Sequence, residues 1–239
     1  MKKITLLALG LLATSVAFAQ KTELALQANT GVYRFSGASA ASTSAVTYYT
    51  QNADYNYTHN PHGNKFMLSV GVAGQVQRIT RSSFILGLQA GAELLQSKVE
   101  ITGAYSFAHM ANSSLTYLHA DGRSFLQHKF INVQPYMGRR LTVGPVAFDI
   151  TAGTDLGFCL ESTDNAKFTL SNGEELAFKT ERDKPSVDVR PRIGLTGYFR
   201  QVGLSASYAQ GVTNYLGSYD GGNPKAYASA LRLGVLYRL

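Results

Sequence analysis

The closing stretch of the chain, Tyr227 to Leu239, sorts its residues two by two. Tyr227, Ser229, Leu231, Leu233, Val235, Tyr237 and Leu239 fall on one side; Ala228, Ala230, Arg232, Gly234, Leu236 and Arg238 fall on the other. A period of two is the signature of a strand, because a helix would bring residues three and four apart together. The same alternation recurs upstream. Leu24 to Phe35 reads as a first strand, and Phe66–Gln77 and Phe84–Leu94 read as a hairpin around Thr80-Arg81-Ser82-Ser83. Phe130–Leu141 is a fourth strand, in which Pro135 predicts a bulge or distortion. Val146–Leu160 alternates most cleanly: Phe148, Ile150, Leu156 and Phe158 lie on one face, Asp149, Asp155 and Cys159 on the other. Val187–Phe199 and Val202–Val212 complete the set.

These readings give eight strands, joined by connections that alternate between long and short. Residues 36–63, 105–129, 161–184 and 214–224 are the long ones. Ala120-Asp121-Gly122-Arg123 is expected as a turn in the second. Asn172-Gly173 predicts a projecting hairpin in the third. The expected fold is all-β: an eight-stranded, antiparallel, up-and-down transmembrane β-barrel with both termini periplasmic and the long loops outward. Closure is compulsory in lipid, where an unpaired strand edge costs several kcal/mol per backbone group. The greasy face, including Leu231, Leu233, Val235 and Tyr237, is expected to meet lipid.

The first residues support that address. Lys2 and Lys3, the apolar run Ile4–Val16 and Ala17-Phe18-Ala19 form a secretory signal peptide, so 1–19 is set apart from a barrel domain at 20–239. No later run approaches the roughly 20 apolar residues of a membrane helix, but alternation hides a barrel from that test. The net charge is +7, and removing Lys2 and Lys3 leaves +5. Export argues against nucleic acid, and the scattered basic residues suit anionic lipopolysaccharide better. Cys159 is the single cysteine, which excludes an internal disulfide and leaves a packing role.

The inward face carries Glu93, Arg140, Asp149, Asp155, Asp188, Arg190, Arg192 and Arg232 among small residues. Eight strands leave a lumen that side chains fill, and charges buried there need partners. Asp155 is expected beside Arg190 or Arg192, and Asp149 near Arg140. Filling the lumen is the expected role, with proton or solute conduction the alternative. A soluble carrier of apolar ligands would show the opposite polarity.

Catalytic signals are thin. His59, His62, His109, His119 and His128 all fall in the long connections 36–63 and 105–129. A lipid-modifying hydrolase or acyltransferase would need His128 or His109 as base and Ser106 or Ser124 as nucleophile, which no spacing establishes. His59 and His62 are weak metal candidates without a third ligand. Tyr48, Tyr49, Tyr55 and Tyr57 suit a membrane-interface collar, or alternatively a recognition loop.

With its signal segment, its alternation and its terminal Leu-Arg-Leu-Gly-Val-Leu-Tyr-Arg-Leu, the chain resembles the small outer-membrane β-barrel proteins of Gram-negative bacteria. It is most similar to the PorT-like family, through Lys129-Phe130-Ile131-Asn132-Val133-Gln134-Pro135-Tyr136, Gly144-Pro145 and Ala152-Gly153. The chain ends in Leu239 where such barrels commonly end in Phe or Trp. The resemblance implies an integral outer-membrane protein without a universal activity, some members being linked to protein secretion. The expectation is a non-enzymatic barrel with no cofactor, whose loops bind or scaffold. Its partners would be outer-membrane lipids, lipopolysaccharide, the barrel assembly machinery and an unknown extracellular or periplasmic protein. A lipid A-modifying enzyme, a narrow solute pore and a secretion accessory are the alternatives.

Overall fold

The computed structural model describes residues 21–49, 55–107, 115–217 and 222–239; residues 1–19, expected from the sequence to be a signal peptide, lie outside them. The strands are β1 (Lys21–Ser36), β2 (Thr43–Tyr49), β3 (Tyr57–Thr58), β4 (Lys65–Ile79), β5 (Phe84–Phe107), β6 (Leu115–Val143), β7 (Val146–Leu170), β8 (Glu175–Glu181), β9 (Asp188–Phe199), β10 (Val202–Gln210) and β11 (Tyr227–Arg238). Eight of them close a ring in the order β1-β4-β5-β6-β7-β9-β10-β11, each antiparallel to its neighbours. The seam joins the first strand to the last, from Ala25↔Arg238 to Ser36↔Tyr227. Tight turns at 80–83, 144–145 and 200–201 share the lower end of the ring with Lys21 and Leu239.

The greasy positions are the solvent-accessible ones. Leu26, Leu68, Val72, Leu86, Ile150, Phe158, Ile193, Leu204, Leu231, Leu233, Val235 and Tyr237 are exposed on the outside, Val72 at 63% and Leu204 at 67%. Phe148 and Leu156 lie on the same outer face, partly covered by their neighbours. The inner face is the buried one, with Gln27, Gln77, Gln89 and Gln134 among its residues.

Above the band the ring is lopsided. β10 has 9 residues and β9 and β11 have 12, whereas β5, β6 and β7 run for 24, 29 and 25. This corrects the reading of 105–129 as a connection: β5 continues to Phe107, β6 begins at Leu115, and Ala120–Arg123 lies inside β6. The tip between them falls outside the described residues. The first long connection also holds structure. Its β2 adds to the upper half of β5 in parallel, from Thr43↔Glu100 to Tyr49↔Phe107, where β4 has already ended. The sheet is therefore mostly, not wholly, antiparallel. Asn172-Gly173 does turn the chain between β7 and β8, with Gly173 at φ +87°. Pro135 leaves the register of β6 against β7 unchanged; the bulge sits at Lys129/Phe130, where Leu160 is the extra residue on β7.

These extensions roll up. The upper sheet runs β3-β2-β5-β6-β7-β8, and β8 comes round to face β3. Side chains span that gap: Thr180 Oγ1 donates to the Asn56 carbonyl at 2.6 Å, and Arg182 donates to the Thr58 carbonyl. Inside lies an apolar core of Val46, Tyr48, Ile101, Ala104, Ala120, Phe168, Leu170 and Phe178. A small greasy-centred roll thus stands on a ring whose centre is charged.

Candidate functional site

The lumen is filled in tiers. Lowest, Arg140 donates from Nη1 and Nη2 to both Glu23 oxygens at 2.9 Å and from Nε and Nη2 to both Asp149 oxygens at 2.6 Å. Gln77 Nε2 donates to the same two carboxylates, and Arg238 lies 3.3 Å from Glu23 and 3.3 Å from the Tyr198 ring centre. A glutamine tier follows, in which Gln89 and Gln134 accept from Arg192 at 3.1 and 2.9 Å.

In the second charged tier Glu93, Asp155, Asp188, Arg190 and Arg232 are buried, and Arg192 is nearly so. Arg192 Nη1 donates to Asp155 Oδ1 at 3.3 Å, and Arg232 Nη1 stands 3.1 Å from Asp155 Oδ2. Arg232 also holds Glu93, through Nη2 at 2.9 Å and through Nε. Arg190 donates to Asn132 Oδ1 at 2.7 Å and lies 3.5 Å from Glu93 and from Asp188, which accepts from the Tyr215 hydroxyl at 2.7 Å. Glu23, Glu93, Asp149, Asp155 and Asp188 thus face Arg140, Arg190, Arg192, Arg232 and Arg238, so the carboxylates and guanidiniums balance. Pairing is what lets charge survive removal from water, although Asp188 Oδ1 and Arg190 Nε and Nη1 have no hydrogen-bond partner here.

The structure puts Asp155 against Arg192, with Arg232 as a second partner, and Asp149 against Arg140. Sequence reasoning missed Glu23 because it began the first strand at Leu24. The alternation does extend back, with Glu23, Ala25, Gln27 and Asn29 in phase.

Above the charges an apolar gasket closes the bore. Tyr33, Phe35, Leu95, Leu126, Phe130, Leu216, Ala226, Ala228 and Ala230 pack together, with Phe35 edge-on to His62, His128 and Tyr215 at 4.8, 5.9 and 4.9 Å. The free volumes in the charged section are about 30 Å³ beside Gln75, Tyr136 and Thr196 and about 20 Å³ beside Asn29 and Glu93. Each has room for a water and little more. A concavity of about 950 Å³ is an open depression of the outer wall over Ala152, Ile193 and Ala206. It is a dent left by small residues on the greasy face, bordered by Met137, Ile150, Leu195 and Leu231.

The histidines do not stay in loops. His119 and His128 lie on β6, and His128 points inward at 1% exposure; His109 lies outside the described residues. Ser124 donates to Asp164 Oδ1 rather than to His128, whose Nδ1 faces the Cys159 sulfur at 4.0 Å. Residues four apart on a strand are about 13 Å apart, so Ser124 and His128 form no nucleophile–base pair. His59 and His62 part company as well. His62 is buried against Phe35, and burial, with Arg182 nearby, lowers its pKa to about 4. His59 lies on the outside, where burial lowers its pKa slightly and the Thr47 hydroxyl meets its Nε2 at 2.7 Å. Among the described residues no three His, Cys, Asp or Glu side chains gather as a metal site.

His59 belongs instead to an aromatic row. Its ring stacks on Tyr57 and Tyr105 at 5.3 and 5.2 Å, and Tyr105 meets Tyr117 at 5.2 Å. The register explains the row, since Thr47 pairs with both Tyr57 and Tyr105, and Tyr105 pairs with Tyr117. This corrects the interface-collar expectation for Tyr57. Tyr105 is eleven residues beyond Leu94, the last greasy outward residue of β5, or roughly 35 Å along the strand. A collar would sit at the edge of the band.

No protein-family model matches the chain, the PorT-like one included, and no curated protein matches it. Among solved structures it is similar to Ail, the attachment invasion locus protein of Yersinia pestis. That likeness covers 93% of this chain and 100% of the other, at 11% identity and a TM-score of 0.32.

Proposed function

We propose that this chain is an integral outer-membrane β-barrel that seals its own bore and carries a rolled extracellular module on β5, β6 and β7. The carrying observation is sidedness. Exposed Leu, Val, Ile and Phe cover the outside of all eight ring strands, while the charges lie buried within. In water that outer band would be a large aggregation-prone patch; against acyl chains it is the stable arrangement. The 9 residues of β10 match the 9–11 a tilted strand needs to cross a bilayer. A barrel protein reaches that membrane by export, which fits a cleaved segment at 1–19, periplasmic termini and delivery through the barrel assembly machinery.

The role is non-enzymatic display. The module's packed core makes it a rigid platform rather than a set of loose loops, suited to binding or scaffolding. A narrow pore is disfavoured by the gasket around Phe35, and a lipid-modifying enzyme by the separation of Ser124 from His128. The deciding experiment is membrane fractionation with a heat-modifiability gel, followed by planar-bilayer recording. The protein should partition to the outer membrane, shift in mobility on boiling and pass no current. Recovery in the soluble periplasm would end the barrel reading, and discrete channels would end the sealed one. Unchanged lipid A mass spectra with and without the gene would complete the case against chemistry.

A further inference from the structure

The outer wall of β1, β4, β5 and β6 changes character with height. After the greasy band ending at Val32, Phe66 and Leu94 come Arg34, Lys65, Lys98 and Arg123. Arg34 stacks its guanidinium on Phe66, 4.5 Å above the ring centre. Lys65 and Lys98 are register partners, as are Glu100 and Arg123. Glu100 forms an ion pair with Lys65. Its carboxyl is held below the ordinary range by the Lys65 hydrogen bond and charge, and further by Lys98 and Arg123. Three cations therefore crowd one carboxylate, and an excess of positive charge remains.

Higher on the same strands stands the aromatic row. It contains no aliphatic side chain: its members are Tyr57, His59, Tyr105 and Tyr117. Tyr117 ends it in a particular way. A Cβ placed on Gly103 would fall 2.4–2.7 Å from the hydroxyl and two ring carbons of Tyr117, so the ring lies on bare backbone and would have to move if any other residue stood beneath it. Tyr117 is nonetheless 56% exposed, with His119 and Asp121 exposed beyond it on the same face of β6. A ring laid on a sheet and flanked by hydrogen-bonding groups offers a π-surface to C–H bonds and polar partners to hydroxyls.

We propose that this wall is the seat of an anionic, phosphorylated glycolipid of the surrounding leaflet, whose phosphates meet the Lys65–Lys98–Arg123 cluster and whose sugars meet the Tyr57–His59–Tyr105–Tyr117 row. The inference rests on the outer-membrane reading. Continuity selects this occupant: acyl chains, phosphates and saccharide of one such molecule would meet the greasy band, the cations and the aromatics in that order. Charge complementarity selects the phosphorylated class.

The test uses the full chain refolded in detergent, its folding verified by heat-modifiable mobility. It is titrated with lipopolysaccharide bearing a complete core oligosaccharide, with lipid A, and with phosphatidylglycerol. The expected order of affinity is core-bearing lipopolysaccharide, then lipid A, then phosphatidylglycerol. Lys98→Gln with Arg123→Gln should weaken both glycolipids about ten- to thirty-fold. Tyr117→Ala with His59→Ala should weaken only the core-bearing form, about five-fold. Tyr117→Leu, which keeps Gly103 covered, serves if the alanine variant does not fold, and should show the same selective loss. Equal affinity for the three lipids, or an aromatic variant that binds core-bearing lipopolysaccharide as wild type does, overturns the proposal. A barrel that folds and inserts but does not discriminate removes this inference alone; a chain that never shows the mobility shift removes the reading beneath it.

Discussion

Arg232 shows how little slack a filled lumen has. It lies between Glu93 and Asp155 at 3% exposure. Arg232→Met should cost about 3–5 kcal/mol, because it leaves two carboxylates facing one another. Adding Glu93→Gln should return part of that loss. Urea unfolding in lipid vesicles, followed by tyrosine fluorescence, checks the pair; strictly additive losses would show that the two groups do not act together. His62 makes a second residue-scale prediction. Its folded pKa of about 4 lies below the ordinary histidine value of 6.5, so between those values the unfolded chain binds a proton that the folded chain refuses. Stability from His62 is therefore full above pH 6.5, falls as the pH drops, and levels off below 4, by up to ~3 kcal/mol in all. Amide-exchange protection at residues 59–64, corrected for the intrinsic rate at each pH, should fall from pH 7 to 4.5 in the native protein and hold constant in His62→Phe. At this scale the sequence was readable where a charge stood in mid-strand, as with Asp149 and Arg140. It was opaque at Glu23, which a strand begun one residue late leaves outside the pattern.

Whole strands were legible only up to a certain height. Below it, outward means greasy and inward means polar, and Val146–Leu160 shows this plainly. Above it the sense inverts: on β6, Ala120 and Leu126 turn in while Asp121, Arg123 and Lys129 turn out. On β7 the change coincides with a slip of phase, because Leu160 is the bulged residue and Glu161 follows it on the same outer side. A search for greasy outward positions stops there, which is why residues 105–129 look like a loop. β2 was hidden for a different reason. Its pairing with β5 is parallel and remote, and no turn signal announces it. Gly63 tests how tightly this added layer fits. A Cβ there would meet the Lys98 backbone at 2.1–2.8 Å, and backbone cannot step aside. Gly63→Ala should lower the unfolding midpoint of the upper module while leaving the ring's insertion unchanged. Limited proteolysis cutting within 36–64 in the variant and not in the native chain is the expected record; identical digests would show the contact to be slack.

For the molecule as a whole, the greasy-centred roll, the gasket and the balanced charges stack into one column among the described residues. Current should be absent from native bilayers. Phe35→Ala combined with Phe130→Ala, which removes the two gasket phenylalanines, should introduce leak events; if it leaves the membrane silent, the charged tiers alone hold the seal. The seam carries a consequence of another kind. Residue 25 finds its mate in residue 238, so the ribosome must finish the final segment before the circle can exist at all. Until then every nascent intermediate carries two raw borders that crave backbone partners. A chain truncated just before Tyr227 would not be a slightly weaker protein. It would be an open ribbon, headed for proteolysis.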